Sequence, residues 1–333
     1  MSGSEQSGTP ELDPEIFRDA GKFELESIEV LAGYKKKKST ILIIGLPILA
    51  VVALFALRNL DNLLLPMILG FPGVAAIGFF LALAHKPASE FKNRIKAEFG
   101  NRVLGHYGEN MKLQTQGISE SEFRYAVEDI APNYDRYRSE DLITGVIKGT
   151  DFRFYEVELK EERKRTDSKG HTTTTYVTVF KGFIVSIHLN RQYRGSIRIS
   201  ADSALNRWFS KDHVRLESTE FEKLFDVHAD DQISSRTILT PLFMEKLTEL
   251  ALSPAFSTNR QKGLFGLGGN SKRSAIQATI KNDYINLMIH SNGNKFEVDD
   301  DGKQVHLKKF AMAIQEDMKA ITHCIEGLKL EQT

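Results

Sequence analysis

Two uncharged apolar runs lie close together near the N-terminus, Ser39 to Leu57 and Leu63 to Ala84. They contain 19 and 22 residues. At about 1.5 Å per helical residue, each run matches a hydrocarbon layer roughly 30 Å thick. Because the bilayer core has no water to satisfy backbone groups, a segment that crosses it alone must be helical. The residues between the runs, Arg58 to Asn62, leave room only for a turn, so the sequence predicts a hairpin of two transmembrane helices.

Small residues predict where the two helices pack. Glycine and alanine allow close approach between membrane helices. Four residues on one face of the second run fit this role: Gly70, Val74, Gly78 and Ala82. We expect this face to contact the first run around Gly45, Leu49 and Ala53.

Basic residues predict the orientation of the hairpin, because Lys and Arg beside a span are retained in the cytoplasm. The juxtamembrane basic residues are Lys35, Lys36, Lys37, Lys38, Lys92, Arg94 and Lys96. The turn carries only Arg58, offset by Asp61. We therefore expect a multi-pass protein with both termini in the cytoplasm. The same basic residues can contact anionic headgroups of the bilayer.

A removable signal peptide and a buried core hairpin are the alternative readings of these runs, and 41 apolar residues without an inward polar partner argue against the core hairpin. Such a signal begins with a basic segment. Here residues 1 to 34 contain eight acidic and two basic side chains, which argues against cleavage.

The chain beyond the hairpin predicts an α+β domain. From Asp141 the apolar period changes from 3.6 to 2, which is typical of strands joined by short turns and paired antiparallel. Strands are expected at 142–148, 152–159, 173–180, 183–189, 196–199, 214–217, 221–227, 275–280 and 284–290. Thr240 and Pro241 mark the start of a helix. An amphipathic helix closes the chain, with the stripe Leu307, Phe310, Ile314, Ile321, Ile325 and Leu328.

Four regions follow from these patterns. Residues 1–38 are a disordered segment plus an amphipathic helix, 39–84 the transmembrane hairpin, 85–135 a juxtamembrane helical stalk, and 136–330 the soluble α+β domain. Within the stalk, Ser119 and Glu122 have the spacing of a capping box.

Composition limits the classes of partner. The chain has 44 basic and 44 acidic side chains, so a nucleic acid, which needs an excess of positive charge, is not expected as a partner. The lone cysteine, Cys324, lies on the apolar stripe of the last helix and is expected to be a buried small hydrophobe.

No motif predicts a catalytic, cofactor-binding or metal-binding residue. The glycine-rich stretch 263–269 lacks the Gly-Lys-Ser/Thr ending of a phosphate-binding loop. It does place apolar side chains between basic ones, which suits an interface. This possible interaction loop comprises Lys262, Leu264, Phe265, Leu267, Lys272 and Arg273. Asp230 and Asp231, beside His228, are expected to form a turn or a helix N-cap rather than a metal site.

Five short segments share a pattern of glycine, phenylalanine and acidic residues: 137–145, 154–157, 178–183, 220–227 and 236–244. In these segments the chain resembles a family of bacterial membrane proteins catalogued as domain of unknown function 3137. The resemblance implies an N-terminal helix, two membrane spans and a soluble region, in the bacterial inner membrane. It carries over no catalytic residue. Gly145 and Gly182 are expected to be positions where a Cβ would clash, and Phe154 and Phe180 to be core.

These features favour a membrane-anchored cytoplasmic binding or scaffold module without a cofactor. Its expected partners are the lipid bilayer and either another protein or a second copy of the chain. No ionisable residue lies inside the spans, which argues against transport. Two alternatives stay open: a membrane-tethered hydrolase, and a peripheral lipid-sensing module that uses the 260–273 loop.

Overall fold

The computed structural model describes residues 14–58, 64–168, 170–201, 212, 214–252, 276–291 and 295–329. Its internal contacts define two compact units. The helical unit comprises Glu11–Gly100 and Val298–Met312, and the sheet unit comprises Asn101–Glu297 and Ala313–Thr333. Both predicted membrane spans therefore belong to the helical unit, and all the predicted strands belong to the sheet unit.

Two long helices dominate the helical unit. A 3₁₀ turn at Pro14–Phe17 precedes helix α1 (Ala20–Arg58), and helix α2 (Leu64–Ile95) follows. The predicted N-terminal helix and the first apolar run thus form one continuous helix, because the intervening lysines are good helix formers. After α2 the chain forms a π-helical turn at Lys96–Gly100.

Among the described residues, the stretch Pro14–Phe55 is long and apolar enough to cross a membrane. Length and composition fit either a membrane anchor or a signal sequence. A second crossing by α2, and the direction of both crossings, remain a proposal.

The contact between α1 and α2 differs in part from the prediction. A Cβ built on Gly45 would lie 2.6 Å from Cδ1 of Ile77, and one built on Gly73 would lie 3.2 Å from Cδ2 of Leu49. The prediction is therefore correct for Gly45 and Leu49 on α1. It is wrong for Gly78 of α2, where a Cβ would meet nothing within 4 Å. The residues of α2 that make this contact are Gly73 and Ile77, and the large Ile77 side chain fills the space above Gly45.

Within the described residues, the sheet unit is built on six antiparallel strands. They are β1 (Glu109–Gln116), β2 (Arg136–Ile147), β3 (Thr150–Thr166), β4 (Thr172–Ala201), β5 (Phe225–Ala229) and β6 (Ile276–His290). The order is β1-β2-β3-β4-β5, and β6 pairs with β4. The predicted α+β class with an antiparallel sheet is confirmed.

Helices of the sheet unit connect and cover these strands. They are α3 (Asn101–Leu104), α4 (Glu120–Val127), α5 (Thr219–Glu222), α6 (Gln232–Arg236) and α7 (Pro241–Leu252). The last helix, α8 (Leu307–Lys329), begins within the helical unit and ends in the sheet unit. All six residues of its predicted apolar stripe are buried, which confirms that stripe.

Several strands are longer than the sequence predicts. The runs expected at 173–180, 183–189 and 196–199 form the single strand β4, and those at 275–280 and 284–290 form β6. Register shifts between His188 and Ser196 absorb the irregular stretch within β4. Strand β1 was not predicted and lies within the expected helical stalk; Leu113 is its one buried residue.

Aromatic residues form much of the sheet core. The ring of Phe154 lies 5.1 Å from those of Phe183 and Phe296, measured between centroids. Phe123 and Val127 of α4 pack in a separate buried cluster with Tyr155 of β3. Phe154 and Phe180 are both buried, as predicted.

Candidate functional site

An open groove of about 550 Å³ lies between α1 and α2. Its walls combine positive, hydroxyl and apolar groups at the level where the lysine run of α1 meets the end of the second apolar run. The lining residues are Gly33, Lys36, Lys37, Thr40 and Ile41 from α1, and Phe80, Leu83 and Ala84 from α2. We call this feature the juxtamembrane groove.

The lysine spacing on α1 gives the groove its charge. Lys35, Lys36, Lys37 and Lys38 are consecutive and exposed, and within the described part of the chain none of them forms an ion pair. Because successive helical residues point about 100° apart, only Lys36 and Lys37 face the groove. The ammonium of Lys38 lies instead 5.9 Å from the centroid of the Tyr34 ring.

The other polar groups of the groove region already have partners. The hydroxyl of Thr40 donates to the carbonyl oxygen of Lys36 at 3.0 Å. Tyr34 and His85 meet edge to face with centroids 5.3 Å apart, which joins the two helices at this level. The Lys36 and Lys37 ammonium groups are therefore the charged donors that the groove offers to a ligand.

The remaining predicted juxtamembrane residues have acidic partners or are buried. The Lys92 ammonium lies 2.5 Å from Oδ2 of Asp300, and the Arg94 guanidinium donates to Glu26. Lys96 is only 6 % exposed. The predicted juxtamembrane basic residues therefore fall into two groups. Lys35 to Lys38 lie at the level of the groove, whereas Lys92, Arg94 and Lys96 are ion-paired or buried in the rest of the helical unit.

These ion pairs perturb the groups they join. The hydrogen bond to Glu26 raises the pKa of Arg94. Burial alone would raise the pKa of Asp300, but the hydrogen bonds from Lys92 and from the Gly302 amide outweigh it, so its pKa is lowered. Asp300 therefore stays charged, and its pairing with Lys92 fixes the turn before α8 against the helix pair.

The predicted interaction loop, Lys262 to Arg273, lies outside the described residues. The lipid-sensing reading of this loop therefore stays a prediction, as does the hydrolase alternative.

The predicted turn at Asp230 and Asp231 has a structural role. Asp231 is the N-cap of α6, and its Oδ1 accepts from the amides of Ile233 and Ser234. His228 lies 3.3 Å from Asp226 in a buried pair on β5. Within the described residues, no group of three or more His, Cys, Asp or Glu side chains could hold a metal ion.

Sequence reasoning missed the apolar half of the groove. Phe80 and Leu83 were assigned to the second span without a further role. Their position in the sequence could have indicated this role. Both residues lie within about one turn of the end of the apolar run, where a side chain in a membrane helix meets both the hydrocarbon chains and the lipid headgroups. Which α1 residues they meet depends on the register of the two helices, which the sequence alone does not give.

The fold and the groove define an α+β protein with a long apolar N-terminal helix and a basic groove beside that helix. Residues 178–330 match the model of the family described as protein of unknown function (DUF3137). This match confirms the resemblance to domain of unknown function 3137 that the sequence pattern indicates, over residues 178–330. No curated protein matches the chain in sequence.

One solved structure that the comparison matches to this chain is the crystal structure of the mycobacterial trehalose monomycolate transport factor A, TtfA. The two chains share 6 % sequence identity with a TM-score of 0.31. The similarity covers 66 % of this chain and 89 % of that one.

Proposed function

We propose that this protein is a membrane-anchored binding module in the bacterial inner membrane. In this proposal α1 and α2 each cross the bilayer once, and the sheet unit and both termini lie in the cytoplasm. The observation that carries the proposal is the outward exposure of apolar side chains on α1. Ile43, Val51 and Leu54 are 69 %, 66 % and 66 % exposed. A water-soluble protein rarely leaves so large a contiguous apolar surface uncovered, whereas lipid chains cover it at no cost.

The second helix supports the same arrangement. Val74, Phe79 and Phe80 of α2 are each more than half exposed. Because α1 and α2 lie side by side and are joined by only five residues, 59–63, a bilayer that surrounds α1 also surrounds α2. The four lysines at 35–38, which form no ion pair with any described residue, favour retention of this end in the cytoplasm.

Two strand edges that have no further strand beside them within the described residues support a role in binding a protein or a second copy. Residues 161–166 of β3 pair with 172–177 of β4. Strand β2 pairs with β3 no further than Lys160, and β6 pairs with β4 only from Gly182 onward. Within the described residues no further strand pairs with either edge of this two-stranded ribbon. Apart from the Glu162 amide, which donates to Asp135, its outward backbone groups can pair with a strand from a partner.

Membrane insertion and orientation are tested together with an epitope fused after Thr333. We expect alkaline carbonate to leave the full-length protein in the membrane pellet. We also expect the epitope to resist protease added to intact spheroplasts and to be digested after detergent lysis. Extraction by carbonate would contradict anchoring, and digestion in intact spheroplasts would contradict the orientation.

A further inference from the structure

We propose that the juxtamembrane groove holds one anionic phospholipid, with its phosphate between Lys36 and Lys37 and its first acyl carbons against Phe80 and Leu83. This inference deepens the proposed function and rests on it, because the groove meets lipid only if α1 and α2 are inserted. The source of the phosphate is a bilayer lipid and not a soluble anion.

The two walls of the groove match the two parts of such a lipid. Lys36 and Lys37 lie before the first apolar run, and Phe80 and Leu83 lie in the last turns of the second. Phe80 and Leu83 are 54 % and 49 % exposed, so both side chains leave apolar surface that a lipid chain can contact. A soluble phosphate would use the lysines but leave this apolar wall in contact with water.

Charge complementarity favours an anion over a zwitterionic lipid. Four consecutive lysines without ion pairs among the described residues produce a positive potential at this level. Lys86, which follows the second run, lies 3.7 Å from Glu90 and is therefore partly neutralised. A phosphatidylglycerol headgroup carries a net negative charge, whereas phosphatidylcholine adds a quaternary ammonium that the lysines repel.

The groove shape favours one specifically held lipid over diffuse attraction. Gly33 forms part of its lining, and a Cβ built there would meet nothing within 4 Å. The absence of a side chain at this position leaves the space between the two helices open. Ala84, whose side chain is small and buried, lines the α2 side without filling the groove.

The lysine run provides a matched pair of variants. Lys36→Gln/Lys37→Gln removes the two groove-facing charges, and Lys35→Gln/Lys38→Gln removes two charges outside the groove. Both double variants carry the same net charge and keep the helix-forming character of α1. A third variant, Gly33→Leu, keeps every lysine and fills the open space with a side chain.

Carbonate extraction is measured first for the full-length protein and all three variants. Release of the unmodified protein would overturn the proposed function itself. If all four proteins stay in the membrane pellet, any difference in lipid binding between them reports on the groove and not on membrane insertion.

Lipid binding is then measured by native mass spectrometry of the full-length protein titrated with phosphatidylglycerol or phosphatidylcholine. We expect phosphatidylglycerol to bind the unmodified protein in preference to phosphatidylcholine. The Lys36→Gln/Lys37→Gln and Gly33→Leu variants should each lose about tenfold in phosphatidylglycerol affinity, and the Lys35→Gln/Lys38→Gln control less than about threefold.

Three outcomes would overturn the proposal. Equal losses for the two double variants would show attraction by total charge alone. An unchanged affinity in Gly33→Leu would show that the groove does not hold the lipid. Displacement of phosphatidylglycerol by inorganic phosphate at matched concentration would show a simple anion site without a lipid contact.

Discussion

Gly182 shows how a single side chain can be excluded by a neighbouring strand. It lies in β4 beside β6, where a Cβ would come 2.0 Å from the carbonyl oxygen of Ile289. The obstacle is backbone, which cannot rotate away as a side chain can. The close approach of β6 therefore requires a glycine at position 182. This confirms the prediction from the sequence that a Cβ would clash there.

We therefore expect Gly182→Ala to destabilise the sheet unit by about 1–3 kcal/mol, the range for overpacking a core. In a unit of this size that corresponds to a drop of roughly 2–4 °C in Tm for each kcal/mol. The measurement is thermal unfolding of the full-length protein in detergent, followed by circular dichroism. Gly21→Ala is the control, since a Cβ there meets nothing within 4 Å and alanine favours a helix. Equal Tm values for Gly182→Ala and the unmodified protein would refute the clash.

The hydrogen bonds that Asp301 accepts lower the pKa of its side chain. Its Oδ1 accepts from the amides of Lys303 and Gln304 at 2.8 and 2.9 Å. These backbone hydrogen bonds lower its pKa to about 2 from the ordinary 3.8, with a smaller contribution from His306. Because the folded pKa is the lower one, the stabilisation is present above pH 3.8 and is lost as the pH falls toward 2.

The Asp301→Asn variant should remove this pH dependence. At pH 6 we expect the variant to have the lower Tm, because an amide oxygen accepts these hydrogen bonds less strongly than a carboxylate does. Between pH 4 and pH 2 the two Tm values should converge as Asp301 is protonated. Unfolding scans of both proteins across this range provide the measurement. A difference that stays constant down to pH 2 would contradict the assignment.

At the scale of elements, the turn before α8 is held by α1. The hydroxyl of Ser27 accepts from the amide of Val305 at 3.0 Å and donates to the carbonyl of Glu24 at 2.5 Å. Oε1 of Glu24 accepts from the amide of Leu307, the first residue of α8, at 3.2 Å. A helix N-terminus leaves its first amides without intrahelical partners, and here a neighbouring helix supplies one. The start of α8 thus depends on α1 through side chains distant in sequence.

Ser27→Ala tests this dependence. Both Ser27 and Val305 are fully buried, so the substitution leaves the Val305 amide without its acceptor, at a cost of about 1–3 kcal/mol. Hydrogen exchange of peptides covering 299–310 should then accelerate roughly five- to hundredfold. Ser39→Ala, an exposed position on the same helix, serves as the control and should leave this exchange unchanged. Unchanged exchange in Ser27→Ala would show that α1 does not support the turn.

Elements with local signals were the ones that the sequence could predict. The stripe of α8, Thr240 before α7 and the capping box at the start of α4 all depend on residues within one or two turns. Ser119 and Glu122 indeed exchange the expected hydrogen bonds. Strand β1 and the length of β4 could not be predicted in the same way, because an edge strand with one buried residue is defined by its partner.

The groove could be predicted only in part, and the lysine run is the part that a local pattern in the sequence identifies. The lining of the groove depends on the register of α1 against α2, in which residues far apart in sequence meet, as Gly45 and Ile77 do 32 positions apart.

At the scale of the whole molecule, the proposed topology depends on the distribution of charge around the helix pair. The four lysines before the first apolar run favour a cytoplasmic N-terminal segment, although that segment is itself acidic. Acidic residues contribute little to orientation, so the lysines dominate. Transferring positive charge from the lysine run to the turn should therefore weaken the preference for a cytoplasmic N-terminal segment.

The variant replaces Lys35 to Lys38 by glutamine and adds Asn59→Lys and Asn62→Lys. We expect a fraction of the molecules to insert with the N-terminal segment outside, because the basic residues nearest the first span now lie in the turn. An N-terminal epitope should become digestible by protease added to intact spheroplasts. A control with arginine at positions 35–38 keeps the charge and should keep the epitope protected. If the epitope stays protected in both variants, the lysines do not set the orientation. The cytoplasmic placement of the groove would then need a different physical cause.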